Sequence, residues 1–212
     1  MGQVLHQAVD MLKNGGIIAY PTETFYGLGA KFDLEDSLKT LYDIKQRPEE
    51  KAMPLIIGNK ELITIVAKSV NKIAVSLMDR FWPGPLTLIF PAIEGLSKYI
   101  TANAHKVAVR IPGESFALHL AKTANFPITA TSANPSGLPP ARDAETVIRY
   151  FGDKIVLVID GSTTSGGLPS TLVDITENKI KILREGVIDK KLLTSADYLV
   201  SVHKVKGCHP RA

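Results

Sequence analysis

The chain reads as one α/β domain built on a mixed sheet. Two observations predict this. Short apolar runs alternate with segments whose apolar residues recur at helical spacing, and the alternation continues through most of the 212 residues. No internal repeat or low-complexity linker divides the chain, and its length suits one large domain.

The elements follow in order. Residues 4–13 put Val4, Ala8, Met11 and Leu12 at helical spacing, and Asn14-Gly15-Gly16 ends that helix. Residues 16–20 form an apolar strand. Asp33 is placed to cap a helix carrying Leu34, Leu38, Leu41 and Ile44, which stops before Pro48. Residues 54–57 make a short buried strand, and Asn59 and Asn71 cap helices over 60–67 and 72–81. Trp82-Pro83-Gly84-Pro85 breaks the chain before strands at 86–90 and 107–111. A helix over 114–123 carries Phe116, Leu118, Leu120 and Ala121. Residues 128–131 are a strand end, 144–151 a helix and 155–159 a strand. Residues 171–175 and 179–183 pair as a hairpin across Thr176-Glu177-Asn178.

Composition narrows the class. Hydrophobic content of 45% and charged content of 22% are ordinary for a globular protein. No apolar run approaches the roughly 20 residues of a membrane span, and the N-terminus lacks the basic and apolar regions of a signal peptide. A single cysteine, Cys208, cannot close an internal disulfide, and a cytoplasmic location is expected. Residues 181–212 hold seven Lys/Arg against three Asp/Glu, which equals the whole net charge of +4. That pattern describes a solvated basic tail, so any RNA-binding patch depends on how the fold arranges its other cations.

The densest chemistry lies in Ala19-Tyr20-Pro21-Thr22-Glu23-Thr24-Phe25-Tyr26-Gly27-Leu28-Gly29. A buried strand runs into two hydroxyls, a carboxylate and a tyrosine, more polar groups than a turn requires. Ligands of open α/β sheets bind outside the carboxyl ends of strands. Lys45-Gln46-Arg47-Pro48 closes a helix; its cations either converge on one ligand or complement the helix C-terminal dipole. Arg110 closes an apolar strand and needs a carboxylate or phosphate, or a salt bridge to a neighbouring loop. Residues 129–137, TATSANPSG, bring hydroxyls, an amide and backbone N–H groups able to hold phosphate oxygens, or simply make an Asn-Pro turn. Gly166-Gly167-Leu168-Pro169-Ser170-Thr171 enters a strand, and Arg184 follows one.

Other chemistries lack their residues. There is no P-loop, no complete dinucleotide fingerprint, no nucleophile elbow, and the five histidines are scattered, so no catalytic metal site is expected. What remains suits phosphoryl or nucleotidyl transfer carried by positioning and charge neutralisation.

In this order the segments AYPTETFYGLG (19–29), KQRP (45–48), WPGPLTLIF (82–90), AVRIP (108–112), TSANPSG (131–137), PSTLVDI (169–175) and ILREG (182–186) resemble the YrdC/Sua5 family, the L-threonylcarbamoyladenylate synthases. The match covers roughly residues 3–187, so a family domain over 1–187 and a basic tail over 188–212 are expected. The resemblance implies an open twisted mixed sheet flanked by helices around a concave basic cavity. It implies a reaction in which L-threonine, bicarbonate and ATP give threonylcarbamoyl-adenylate and pyrophosphate. The product would feed N6-threonylcarbamoylation of adenosine 37 in tRNA through a downstream transferase complex. Direct binding of tRNA or double-stranded RNA is a further expectation.

By the same resemblance, Lys45, Arg47 and Arg184 would neutralise the triphosphate, with Mg²⁺ held mainly through ATP. Ser132 and Asn134 match nucleotide-binding positions; Thr24, Arg110, Ala130 and Ser170 match the threonine pocket. Lys51 takes the place of a nucleotide-contacting asparagine, and Gly58 falls where some members carry a threonine-contacting histidine. The resemblance implies the short form of the family. Two other readings compete: a related enzyme acting on another acyl group, and a paralogue that binds RNA or nucleotide with little or no activity.

Overall fold

The computed structural model describes residues 1–177 and 179–194. Helix α1 (Gly2–Lys13) buries Leu5, Ala8, Val9 and Leu12 along one stripe, one helical turn or less apart. Strands β1 (Ile18–Pro21) and β2 (Tyr26–Gly29) follow, then α2 (Glu35–Lys45) and β3 (Leu55–Ile56). A 3₁₀ turn at Lys60–Ile65 leads to α3 (Lys72–Phe81), β4 (Leu86–Pro91), α4 (Lys98–Thr101) and β5 (Lys106–Arg110). The chain continues through α5 (Phe116–Ala124), β6 (Ile128–Thr129), β7 (Thr131–Ser132), α6 (Ala144–Phe151) and β8 (Leu157–Val158). It ends with β9 (Thr171–Asp174), β10 (Lys181–Arg184) and α7 (Lys190–Thr194).

The class is the expected one, α/β with open mixed sheets flanked by helices, but the strands divide between two sheets. One has the order β7-β2-β1-β8, the other β10-β9-β4-β5-β3-β6. Each mixes parallel and antiparallel pairs: β1 runs antiparallel to β2 and parallel to β8, while β4 runs antiparallel to β5 and parallel to β9. The division falls inside 128–131, which the sequence presents as a single strand end. Ile128 and Thr129 pair with β3, whereas Thr131 and Ser132 pair with β2. Ala130 sits at the crossing, its N–H donated to Pro54 O at 2.8 Å.

β2 was not anticipated from the sequence, and it carries two glycines. These glycines serve close packing. A Cβ at Gly29 would stand 2.8 Å from the Tyr20 ring and 2.9 Å from Ile128, and one at Gly27 would stand 3.2 Å from the same ring. Tyr20 is thereby fully buried across β2, and its hydroxyl donates to Thr129 O at 3.0 Å. Both sheets are thus tied to the crossing at Ala130.

Asn59 and Asn71 cap as expected, accepting from Leu62 N at 3.1 Å and Ala74 N at 2.8 Å. Asp33 does not cap α2. Its carboxylate pairs with Lys31, and Leu34 occupies the cap position without a side-chain bond. The 171–183 hairpin forms with Lys181 opposite Asp174. A main hydrophobic core joins both sheets to α2, α3 and α6, and a second packs α1 and α5 on Ile18, Tyr20, Ile56 and Ile128. Ile188 and Leu193 are buried in the main core, so packed structure continues beyond 187. The rest of the expected tail, 195–212 with Cys208, lies outside the described residues. Among the described residues no helix is long and apolar enough to cross a membrane.

Candidate functional site

The sheet register brings one group of candidates together. Arg110 ends β5, one step past Val109 opposite Leu88, and Leu86 and Thr87 pair with Thr171 and Leu172 of β9. Arg184 of β10 lies opposite Leu172. Arg110, Thr87, Ser170 and Arg184 therefore gather at one end of the six-stranded sheet. The Thr87 and Ser170 hydroxyls are 2.8 Å apart. Arg184 Nη2 donates to Ser170 O at 3.0 Å and Ser170 Oγ at 3.2 Å. Burial, then the charge of Arg110, holds the Arg184 guanidinium below its ordinary value, so the two arginines lie within electrostatic reach of each other.

The β1–β2 turn closes on this group. Glu23 Oε1 accepts from Gly113 N at 2.6 Å and from Arg110 Nη1 at 3.2 Å, while Glu23 Oε2 is buried without a partner. Thr24 lies beside it, its carbonyl accepting from Gly166 N at 2.8 Å, and Ser165 Oγ donates to Glu23 O at 2.9 Å. The loop entering β9 thus packs on the turn. Tyr20 lies within electrostatic reach of both Arg110 and Glu23, and burial, the largest influence, drives its phenol pKa far up. It is a neutral spacer with its hydroxyl on Thr129 O, one residue before Ala130.

A second group forms at the C-terminal end of α2. Gln46 takes the left-handed conformation with φ of 48°, ending the helix so that Lys45 and Arg47 diverge from helical register. Lys45 is 2% exposed, and its Nζ donates to Ser132 O at 2.5 Å and Asn134 O at 2.6 Å. Its own carbonyl accepts from Ser136 N at 2.7 Å. Burial and, secondarily, the charge of Arg47 lower the Lys45 ammonium to about 7. Asn134 Nδ2 donates to Leu138 O at 2.7 Å and Pro135 O at 2.9 Å, and its Oδ1 is buried without a partner.

Arg47 folds over the 49–53 segment, donating from Nη2 to Ala52 O at 2.6 Å and from Nε to Lys51 O at 2.9 Å. Lys51 itself is exposed, and the Tyr42 hydroxyl also donates to its carbonyl at 2.5 Å. Ala130 lies between the groups, on the chain that links Thr129 to Ser132.

The structure therefore assembles Arg110, Ser170 and Arg184 with the Thr24 turn, and Lys45 with Ser132 and Asn134. Arg184, placed by the resemblance among the triphosphate cations, bonds to Ser170 and lies within electrostatic reach of Arg110. Gly58 holds nothing toward either group. A Cβ there would stand 2.5 Å from Ala121 O and from Lys122 Cα, so the backbone of α5 leaves no room for a histidine. Glu23 and Thr87 were not singled out as site residues. Glu23 stood visible in the 19–29 motif, but its partner Gly113 is 90 residues away. A cleft of about 590 Å³ opens elsewhere, between Lys13–Ile17, the N-terminal end of α2 and Lys154; no predicted site residue lines it.

The chain is similar to proteins of one known family. The Sua5/YciO/YrdC family model, described as "Telomere recombination", matches residues 10–186. A threonylcarbamoyl-AMP synthase of Pyrococcus abyssi is 40% identical over 84% of this chain and 53% of its own length. One of Vibrio parahaemolyticus is 35% identical over 85% of this chain and 97% of its own. Among solved structures, P. abyssi Sua5 complexed with L-threonine superposes with a TM-score of 0.82 at 37% identity, over 96% of this chain and 57% of that one. This chain thus spans about half the length of the Pyrococcus relative and nearly all of the Vibrio one. With the family match covering most of its length, this chain belongs to the Sua5/YciO/YrdC family.

Proposed function

We propose that the chain is an L-threonylcarbamoyladenylate synthase, an ATP-dependent nucleotidyltransferase that makes threonylcarbamoyl-AMP and pyrophosphate from L-threonine, bicarbonate and ATP. The observation that carries this reading is the pairing of two groups of opposite design. One side offers two arginines and hydroxyls suited to an amino-acid carboxylate. The other offers Ser132 and Asn134 on a loop held by a buried lysine, suited to a nucleotide. The naming of the relatives supports the same reaction.

Threonine's amine and bicarbonate form a carbamate, whose oxygen attacks the α-phosphorus and expels pyrophosphate. Arg110 and Ser170 orient the carboxylate, and Thr24 lies beside the same pocket. Arg47 and Lys45 stabilise the charge on the departing pyrophosphate, Lys45 in part by fixing the Ser132–Asn134 loop. Among the described residues no group of three or more His, Cys, Asp or Glu is placed to hold a metal. Mg²⁺ would be held mainly through the ATP phosphates, where it would supply charge neutralisation. The product serves N6-threonylcarbamoylation of tRNA, and the site of action is the cytoplasm.

The test is pyrophosphate release from ATP, Mg²⁺ and bicarbonate, with and without L-threonine, with rapid chromatographic trapping of the adenylate. Threonine-dependent release with a matching adenylate peak is expected. Release without threonine would overturn the choice of acyl acceptor, and absence of release with ATP still bound would overturn the enzymatic reading.

A further inference from the structure

Glu23 is a carboxylate satisfied on one side only. Oε1 has two donors, Gly113 N and Arg110 Nη1, while Oε2 is buried and accepts nothing. Withdrawing an ionised oxygen from water without a partner is costly, and such atoms in a native fold call for an explanation. Among the described residues that condition is shared by Asn134 Oδ1 alone. Structure alone does not require the acid. A backbone N–H and one guanidinium bond would be met equally by an amide oxygen, which leaves the second oxygen and the negative charge unexplained.

The neighbours define the missing group. Arg110 and Arg184 lie within electrostatic reach of each other and, with Ser170, suit a carboxylate. A free carboxylate oxygen suits a cation. Arg110 and Glu23 touch each other at 3.2 Å, so a ligand that engages both must carry an anion and a cation side by side. An α-amino acid does so, with carboxylate and ammonium on one carbon.

Resting on the synthase reading, we propose that Glu23 and Arg110 form a zwitterion clamp, Arg110 taking the substrate carboxylate and Glu23 Oε2 taking the α-ammonium and then its proton. The transfer breaks an N–H bond, forms the Glu23 O–H bond and frees the nitrogen lone pair. The neutral amine attacks the bicarbonate carbon. A C–N bond forms, hydroxide leaves, and it takes the second amine proton to become water. The carbamate remains, Glu23 returns its proton to solvent, and no further reagent is needed. Glu23 is on this account a catalytic residue, touching the substrate at the reacting nitrogen.

The experiment compares two ligands by calorimetry in the presence of a non-hydrolysable ATP analogue: L-threonine, and 2,3-dihydroxybutyrate, in which a hydroxyl replaces the ammonium. Wild type should prefer threonine by roughly 10–100-fold, the value of one charge-assisted hydrogen bond. Glu23→Gln keeps an oxygen for Gly113 N–H and should erase that preference while leaving affinity for the ATP analogue unchanged. Glu23→Asp, which keeps the charge but shortens its reach, should show an intermediate preference. An undiminished preference in Glu23→Gln would overturn the clamp. So would tighter threonine binding in that variant, which would make Glu23 a mere competitor for Arg110. Should Glu23→Gln fail to fold, the wild-type comparison decides: no preference for the ammonium ligand overturns the proposal. If a panel of α-amino acids reveals a different amino acid bound with the same Glu23 dependence, the clamp stands and the choice of threonine falls.

Discussion

The two groups of candidate residues use the same kind of side chain in opposite ways. Around Lys45 the cation is sealed among main-chain carbonyls: Ser132 O and Asn134 O accept from it, and Ser136 N returns a bond to its backbone. Around Arg110 the cations also meet side chains: the Glu23 carboxylate lies 3.2 Å from Arg110, and Arg184 reaches Ser170 Oγ as well as its carbonyl, within electrostatic reach of Arg110. An ammonium bound by carbonyls at the end of a helix is a brace that fixes a loop. Two guanidinium groups beside a half-satisfied carboxylate are charges held ready for a ligand. Motif spacing alone leaves both sets of cations with two readings, and the family resemblance assigns both to substrate; the difference between them lies in what the fold already gives them to bind.

The sharpest way to break this contrast is Lys45→Ala. It removes the brace and the charge together, so turnover should fall by about 10²–10³-fold, the cost of losing one preorganised donor. Leaving its carbonyls without a donor should also lower stability by roughly 1–3 kcal/mol. Turnover kinetics and thermal melting read the two effects. A large loss of turnover with an unchanged melting temperature would make Lys45 a pure ligand contact.

Next comes Arg110→Ala, which should raise the dissociation constant for L-threonine by roughly 10–100-fold with little change for ATP. Equal losses for both ligands would show that the two groups do not divide the substrates.

A smaller effect tests the charge state of the brace. Lys45 titrates near 7 in the free protein because burial, then Arg47, disfavours its ammonium. A bound triphosphate favours the ammonium, so ATP binding should take up a proton above that pH. Affinity for ATP should decline as pH rises from about 7 toward the ordinary lysine value of 10.5. Lys45→Arg, which stays charged, should lose that slope. Calorimetry in buffers of different ionisation enthalpy measures the proton uptake. The stability linkage runs the other way. The folded pKa lies below the unfolded one, so the unfolded chain binds more protons in that window, and this residue's contribution to stability improves as pH rises through it.

The smallest expected effect on function lies away from both groups. Asn71→Ala removes the cap of α3 and a bond from Nδ2 to Ile175 O at 2.7 Å. Stability should drop by about 0.5–2 kcal/mol with turnover unchanged at 25 °C. A matching loss of turnover would mean that general loosening, and not a specific contact, explains the larger variants.

Local order determined much of this protein. The helix over 4–13, the Asn59 and Asn71 caps and the 171–183 hairpin are short-range features, visible because side chains three or four apart on a helix, or alternating on a strand, answer to their neighbours, although the helix buries Leu5 and Val9 where the sequence pointed to Val4 and Met11. The seven motifs in order were legible for the same reason, and they carried the family. Only the tertiary structure decided how these pieces meet. It split 128–132 between two sheets, because Thr131 pairs with β2 while Thr129 pairs with β3. It made Gly27 and Gly29 a bed for the Tyr20 ring. It gave Lys45 its acceptors 87 and 89 residues downstream, and Glu23 its donor 90 residues away. Periodicity and capping act over a few residues along the chain. Which carbonyl faces a buried ammonium, and which carboxylate is left with an unused oxygen, depends on strand register across the sheets, which exists only once distant segments have closed on one another.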